Sequence, residues 1–217
     1  AVSVDGLQPE HDARRAPATY DRILKHVAGH QVTVHCTVTR QQAQRPGYLE
    51  EFVRFWSAQE ATRRIWFSLY TPQIGEVSEE CLSIEDRLRV AREIDALGPR
   101  FPKLEASKRM LEGLMKPPAS PQECIFARTT HCLSADLQTV VTPCQLGGTP
   151  DCESCGCLAA AALAAVGRYR LPGGIPVYRM LDWSEAVGRR VAAVRALGGP
   201  GTRADAPRTI PVRTVTD

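Results

Sequence analysis

The sequence predicts an α/β protein: a parallel βα assembly, either a barrel or an open sheet, followed by a small cysteine-rich extension made of a hairpin and a helix. Three observations carry this expectation. Strand-like and helix-like segments alternate three times within the first hundred residues, with short connections, as parallel βα units do. The alternation stops near Pro99. Beyond it, six of the eight cysteines fall between Cys124 and Cys157.

Taken in order, "AVSV" reads as a strand, and "ATYDRILKHVAGH" sets Tyr20, Ile23, Leu24 and Val27 on one helical face. "QVTVHCTV" alternates, with Val32, Val34, Cys36 and Val38 facing one way and Thr33, His35 and Thr37 the other. "PGYLEEFVRFWSAQ" returns to helix, with Pro46 near its start and Tyr48, Leu49, Phe52, Val53 and Trp56 on the buried side. "RRIWFSLYTP" is a continuous apolar run, as in a strand covered on both faces, which puts Trp66 and Phe67 in the core beside Trp56. "SIEDRLRVAREIDALG" is a helix with Ser83 as N-cap and Gly98 just past its end. The strands are expected near 1–5, 31–38 and 64–70.

"PKLEASKRMLEGLMKPP" predicts one more helix, leading into a joint at Pro117, Pro118 and Pro121. From Cys124 to Gly148 the pattern suggests a small hairpin turning near Ser134–Gln138. An alanine-rich helix spans Leu158–Val166 and ends at Gly167; a last helix is expected to start with Ser184 as N-cap. This organisation divides the chain at 1–116, 117–198 and a loose, breaker-rich tail at 199–217.

The thiols concentrate in "TPCQLGGTPDCESCGC", where Cys144, Cys152, Cys155 and Cys157 crowd together. Cys-x-x-Cys is the minimal chelate, because a short turn points both sulfurs at one ion. Gly156 lets the backbone fold tightly between the last two sulfurs. Cys132 and Cys124 supply further thiols, with Cys132 favoured because it lies on the hairpin opposite Cys144. The helix that starts after Cys157 directs its N-terminal amides at anionic thiolates. A structural zinc and an iron–sulfur cubane both want four sulfurs, and spacing does not separate them. A disulfide framework is not expected in a chain with a core of this size. Cys36 and Cys81 read as plain thiols.

Basic residues number 27 against 24 acidic, a net charge of +3. That balance argues for neither nucleic acid nor a membrane surface. No apolar run approaches the roughly 20 residues of a membrane span, and "AVSVDG" reads as the inside of a strand rather than a leader. The expected location is cytoplasmic. The sequence does not start with Met, so it is expected to be a processed chain or part of a longer one.

"VSVDGLQPEHDARR" followed by "TYDRILKHV" resembles the fourth strand and helix of radical S-adenosylmethionine enzymes that carry a SPASM or shortened "twitch" extension. Those enzymes read Ser-hydrophobic-Asp-Gly and then His-Asp-x-x-Arg, matched here by Ser3, Asp5, Gly6, His11, Asp12 and Arg15. The hairpin ending in "TPC" and then "CESCGC" resembles the extension that holds an auxiliary [4Fe-4S] cluster. The likeness spans residues 1 to about 195 and implies a partial (β/α) barrel of parallel strands, the C-terminal half of a radical S-adenosylmethionine barrel, with its strands in an open arc. It implies a cluster on four of Cys124, Cys132, Cys144, Cys152, Cys155 and Cys157. It also implies a cofactor contact through Ser3, Asp5 and Arg15, although His11, Asp12 and Arg15 also suit a structural knot.

The family's Cys-x3-Cys-x2-Cys motif is absent: successive cysteine gaps are 45, 43, 8, 12, 8, 3 and 2. The resemblance therefore implies a chain that is inactive alone and is completed by an N-terminal half. It further implies a reductant such as ferredoxin or flavodoxin and a small-molecule or peptide substrate.

Overall fold

The computed structural model describes residues 1–17 and 19–197; the expected loose tail at 199–217 lies outside the described residues. Strands β1 (Val2–Ser3), β2 (Val32–Val38) and β3 (Thr62–Leu69) form a parallel sheet in that order. Ser3 stands beside His35, and His35 beside Trp66, across the three strands. The sheet has three strands, and no closed barrel is present among the described residues.

The crossovers are helical. Helices α1 (Gln8–Arg15) and α2 (Tyr20–Val27) join β1 to β2; α3 (Arg40–Gln44) and α4 (Tyr48–Ala58) join β2 to β3; α5 (Ile84–Leu97) follows. The sequence reading contains neither α1 nor α3. Both are short and polar, and α3 is held by a capping box between Thr39 and Gln42 rather than by an apolar stripe. The Ser83 cap of α5 and the Gly98 end are as expected.

Alternation along the strands places the core. Val34, Cys36 and Val38 of β2, with Ile65, Phe67 and Leu69 of β3, are buried in one cluster with Tyr48, Leu49, Phe52, Val53 and Trp56 of α4 and Val90, Ile94 and Leu97 of α5. Phe52 meets Phe67 with ring centroids 5.6 Å apart, and Tyr20 meets Trp56 at 5.3 Å. Fully burying each such side chain contributes roughly 1.5–3 kcal/mol. Trp66 is not in this core. It falls on the opposite face of β3 and is half-buried, with its indole N–H donating to Glu105.

The expected helix from Pro102 onward is also corrected. Phe101 is extended ahead of Pro102, as a residue before proline prefers. Lys103–Glu105 then runs parallel to β3: Ile65 N–H donates to the Lys103 carbonyl at 2.8 Å, and Glu105 N–H to the Ile65 carbonyl at 3.1 Å. Only Lys108–Met115 is helical (α6).

In the extension, the segment expected to be wholly hairpin begins as helix α7 (Ile125–Thr129). The hairpin is confined to β4 (Cys132–Leu133) and β5 (Val140–Val141), antiparallel, with its turn where expected. Helices α8 (Leu158–Gly167) and α9 (Val177–Leu197) complete the described chain. Ser184 is interior to α9 rather than its cap. Pro176 precedes the true start, and Arg128 of α7 holds the added turns through Asp182 at 2.7 Å and through Glu185. No helix among the described residues is long and apolar enough to cross a membrane.

Helix α8 packs on α6 at a Gly113–Ala161 crossing: a Cβ added at Gly113 would stand 2.9 Å from the Ala161 carbonyl oxygen. Ala161 belongs to the same core cluster as the sheet, so extension and sheet share a hydrophobic interior. Gly113→Val should therefore destabilise the protein by roughly 1–3 kcal/mol, read from the midpoint of denaturant unfolding. Gly188→Ala on α9 meets nothing within 4 Å and should be neutral or slightly stabilising in the same measurement.

Candidate metal centre and the adjoining cavity

The thiol loop is stitched to the end of β3. Leu69 N–H donates to the Gly156 carbonyl at 2.9 Å, and Gly156 N–H donates to Thr71 Oγ1 at 2.9 Å. Further along, Asp151 N–H donates to the Pro72 carbonyl and Ile74 N–H to the Thr149 carbonyl, at 2.9 and 2.8 Å. Two strands of irregular chain thus run together beyond the sheet. Gly156 is required by this approach: a Cβ there would lie 2.1 Å from the Leu69 carbonyl oxygen. The Cys-x-x-Cys turn closes through Cys155 N–H to the Cys152 carbonyl at 3.1 Å.

Five thiols face one small cavity: Cys124, Cys144, Cys152, Cys155 and Cys157. The rest of its lining is Pro118, Pro121, Phe126, Ala127, Leu146, Pro150 and Ala160, with no charged side chain. Cys124 enters because it immediately precedes α7, which packs on α8. Cys132 does not line the cavity; it sits on the hairpin with Thr130 Oγ1 at 4.0 Å. Of the two further thiols, Cys124 rather than Cys132 lies on the cavity, because α7 folds Cys124 back over α8. Cys36 is buried in the main core, and all eight cysteines are free.

The donor set suits a thiophilic metal in kind and number, since soft thiolates in an apolar shell select zinc, copper(I) or iron–sulfur clusters. The thiols ring the cavity without meeting at one point. Among the described residues no three His, Cys, Asp or Glu side chains are grouped tightly enough to hold one ion as they stand. Gathering four sulfurs on one centre therefore requires inward movement of the ring.

Burial raises the Cys155 thiol to about 11, and it raises Cys157 and Cys152 as well. The Cys157 shift is opposed by backbone amides of Ala160 and Ala159 at the start of α8 and by Gln145, whose Nε2 donates to Cys157 Sγ at 2.9 Å. A metal must displace these protons, so uptake should strengthen as pH rises.

A second cavity, of about 440 Å³, adjoins the first across Gln145 and the start of α8. Its floor is the open face of the sheet: Ser3, His35, Arg64, Trp66 and Ser68, with Glu105 beside them. Leu158, Ala159 and Ala162 of α8 form the opposite wall. His35 Nε2 and Ser68 Oγ are 2.7 Å apart, and Leu158 N–H donates to the same hydroxyl at 3.2 Å. Burial lowers the His35 pKa, which favours the neutral ring.

Of the residues assigned to cofactor contact, Ser3 lines this cavity. Asp5 and Arg15 are engaged with each other: Arg15 Nε and a terminal nitrogen donate to the Asp5 carboxylate at 2.7 and 3.2 Å. Asp5 N–H donates to His11 Nδ1 at 3.0 Å, and Tyr20 N–H to Asp12 Oδ1 at 2.7 Å. These contacts tie down the loop after β1.

Sequence reading missed Gln145, Ser68 and Arg87. Arg87 is 6 % exposed and donates to the carbonyls of Ser154 and Cys155. The signal was available: Arg87 shares the helical stripe of Val90, Ala91 and Ile94, all buried.

The chain matches no family model, no curated protein and no solved structure.

Two expectations follow. Gly156→Ala should cost roughly 2–3 kcal/mol, because the obstructing atom is backbone and cannot rotate away; thermal unfolding with and without added zinc would read this loss. Burial opposes ionisation of Asp5, yet the hydrogen bond and charge of Arg15, aided by Arg14, hold its pKa below 3.8. The stabilisation is therefore complete above the unfolded value of 3.8 and is lost as pH falls through the lower folded value. Asp5→Asn should flatten that acidic limb in a stability–pH profile, while leaving any limb from other carboxylates.

Proposed function

We propose that this chain is an iron–sulfur protein, the C-terminal portion of a radical S-adenosylmethionine enzyme, whose thiols hold an auxiliary [4Fe-4S] cluster. The observation that carries the reading is the ring of five thiols around one apolar cavity at the start of α8. Cys144, Cys152, Cys155 and Cys157 are its ligands in this reading, with Cys124 the fifth sulfur on the same cavity and Cys132 outside it. Such a cluster supplies one-electron chemistry when bound.

The chain's own contribution is to position and to exclude water. The prolines, Phe126 and Leu146 keep the thiols in an apolar shell. Ser3, on the floor of the larger cavity, is the residue that would meet the ribose of S-adenosylmethionine. The Asp5–Arg15 pair supports the loop beside it. A small-molecule or peptide substrate would occupy the same cavity. Radical formation would need an N-terminal portion carrying Cys-x3-Cys-x2-Cys and a reductant such as ferredoxin or flavodoxin, all compatible with the cytoplasm.

Anaerobic purification tests this. The expected protein is brown, with broad visible absorption and matching iron and acid-labile sulfide. Cys155→Ser and Cys157→Ser should abolish the colour, whereas Cys132→Ser should leave iron content unchanged. With S-adenosylmethionine and dithionite the chain alone should form no 5′-deoxyadenosine. A colourless protein holding one zinc per chain would replace this reading with a zinc-stabilised binding or structural module.

A further inference from the structure

We propose that Arg87 is the counter-charge of the thiol centre: a buried guanidinium, built into place beside Cys155, that favours the anionic, metal-bound form of the thiols. The inference rests on the reading of these thiols as a metal centre and adds a positioning residue to it.

Three carbonyls on two segments, the thiol loop and the end of α6, hold the guanidinium. One terminal nitrogen donates to the Ser154 carbonyl at 2.9 Å; the other donates to the carbonyls of Leu114 and Cys155, each at 2.7 Å. Leu114 lies in the last turn of α6, where the negative end of the helix dipole favours a cation. Among the described residues Arg87 forms no ion pair with a carboxylate. These three bonds go to carbonyls, which solvate a cation without neutralising it. A buried cation left in that state is costly.

Two of its three acceptors, the carbonyls of Ser154 and Cys155, belong to the thiol loop itself, so the guanidinium is held directly against the Cys152–Cys155 turn. Four thiolates around a divalent ion carry a net charge of about −2. Each thiol that binds the metal gives up its proton to solvent. A cation fixed behind the Cys152–Cys155 turn offsets the charge that accumulates there. A merely mechanical clasp would need only donors. A compensating charge needs the positive charge itself, and conservative variants separate the two.

The full-length chain, reduced and free of oxygen, is titrated with cobalt(II), and thiolate-to-cobalt absorption is read for the wild type, Arg87→Lys and Arg87→Gln. Circular dichroism of each metal-free variant checks the fold. Arg87→Gln keeps donors and loses charge; Arg87→Lys keeps charge and loses the fork. The expected result is weakening on the order of tenfold for Arg87→Gln, with Arg87→Lys close to wild type. Equal weakening of both, or no change in either, overturns the proposal while leaving the metal centre intact. If Arg87→Gln does not fold, Arg87→Met takes its place as the charge-free variant in the same comparison with Arg87→Lys. A wild-type chain that shows no thiolate–cobalt absorption overturns the metal-centre reading, and the role of Arg87 with it.

Discussion

The close backbone approach of Gly156 to Leu69 is the constraint on which the candidate site depends. It brings a loop distant in sequence onto the last residue of β3, with the Leu69 N–H and Gly156 carbonyl 2.9 Å apart. From that contact the surroundings follow by short covalent reach. Cys155 and Cys157 flank the glycine and are carried to the same cavity. Leu158 comes within hydrogen-bonding distance of Ser68, which fixes where α8 begins. Asp151 and Thr149 continue the pairing along Pro72 and Ile74. The sheet end is thus a template, and the thiol loop is ordered because a parallel sheet leaves its terminal donors and acceptors unpaired at that edge.

Much of this architecture is written locally. The Val-Thr-Val-His-Cys-Thr-Val alternation of β2 is sufficient to assign its two faces, since period two admits one division only. The helical faces of α2 and α4 follow from spacing, and the start of α5 from the identity of Ser83. What escaped was non-local or weakly periodic. Nothing in Lys103–Glu105 advertises strand pairing until Ile65 is beside it. The α1 and α3 helices lack an apolar stripe. Trp66 looked like core because composition alone does not say which face of β3 is covered.

The site was legible to the same limit. The crowding of cysteines marks a thiol centre, and the identity of Gly156 marks a tight backbone there. Which sulfurs gather is a tertiary matter: Cys124 is separated from Cys157 by a hairpin and a loop, and only the packing of α7 on α8 brings them to one cavity. Arg87 was readable in principle, as a charge on an otherwise apolar stripe. Its acceptors, however, lie on α6 and on the thiol loop. Gln145 gives no sequence signal at all.

Helix α8 is a partition. Leu158, Ala159 and Ala162 face the larger cavity, while Ala160 and the preceding Cys157 face the smaller one. Between them Ala161 is seated against Gly113 with no room for another atom. The two compartments are therefore back to back, one helix thickness of small side chains apart. A bulkier residue at Ala159 or Ala162 would take its volume from the sheet-side compartment, and one at Ala160 from the sulfur side.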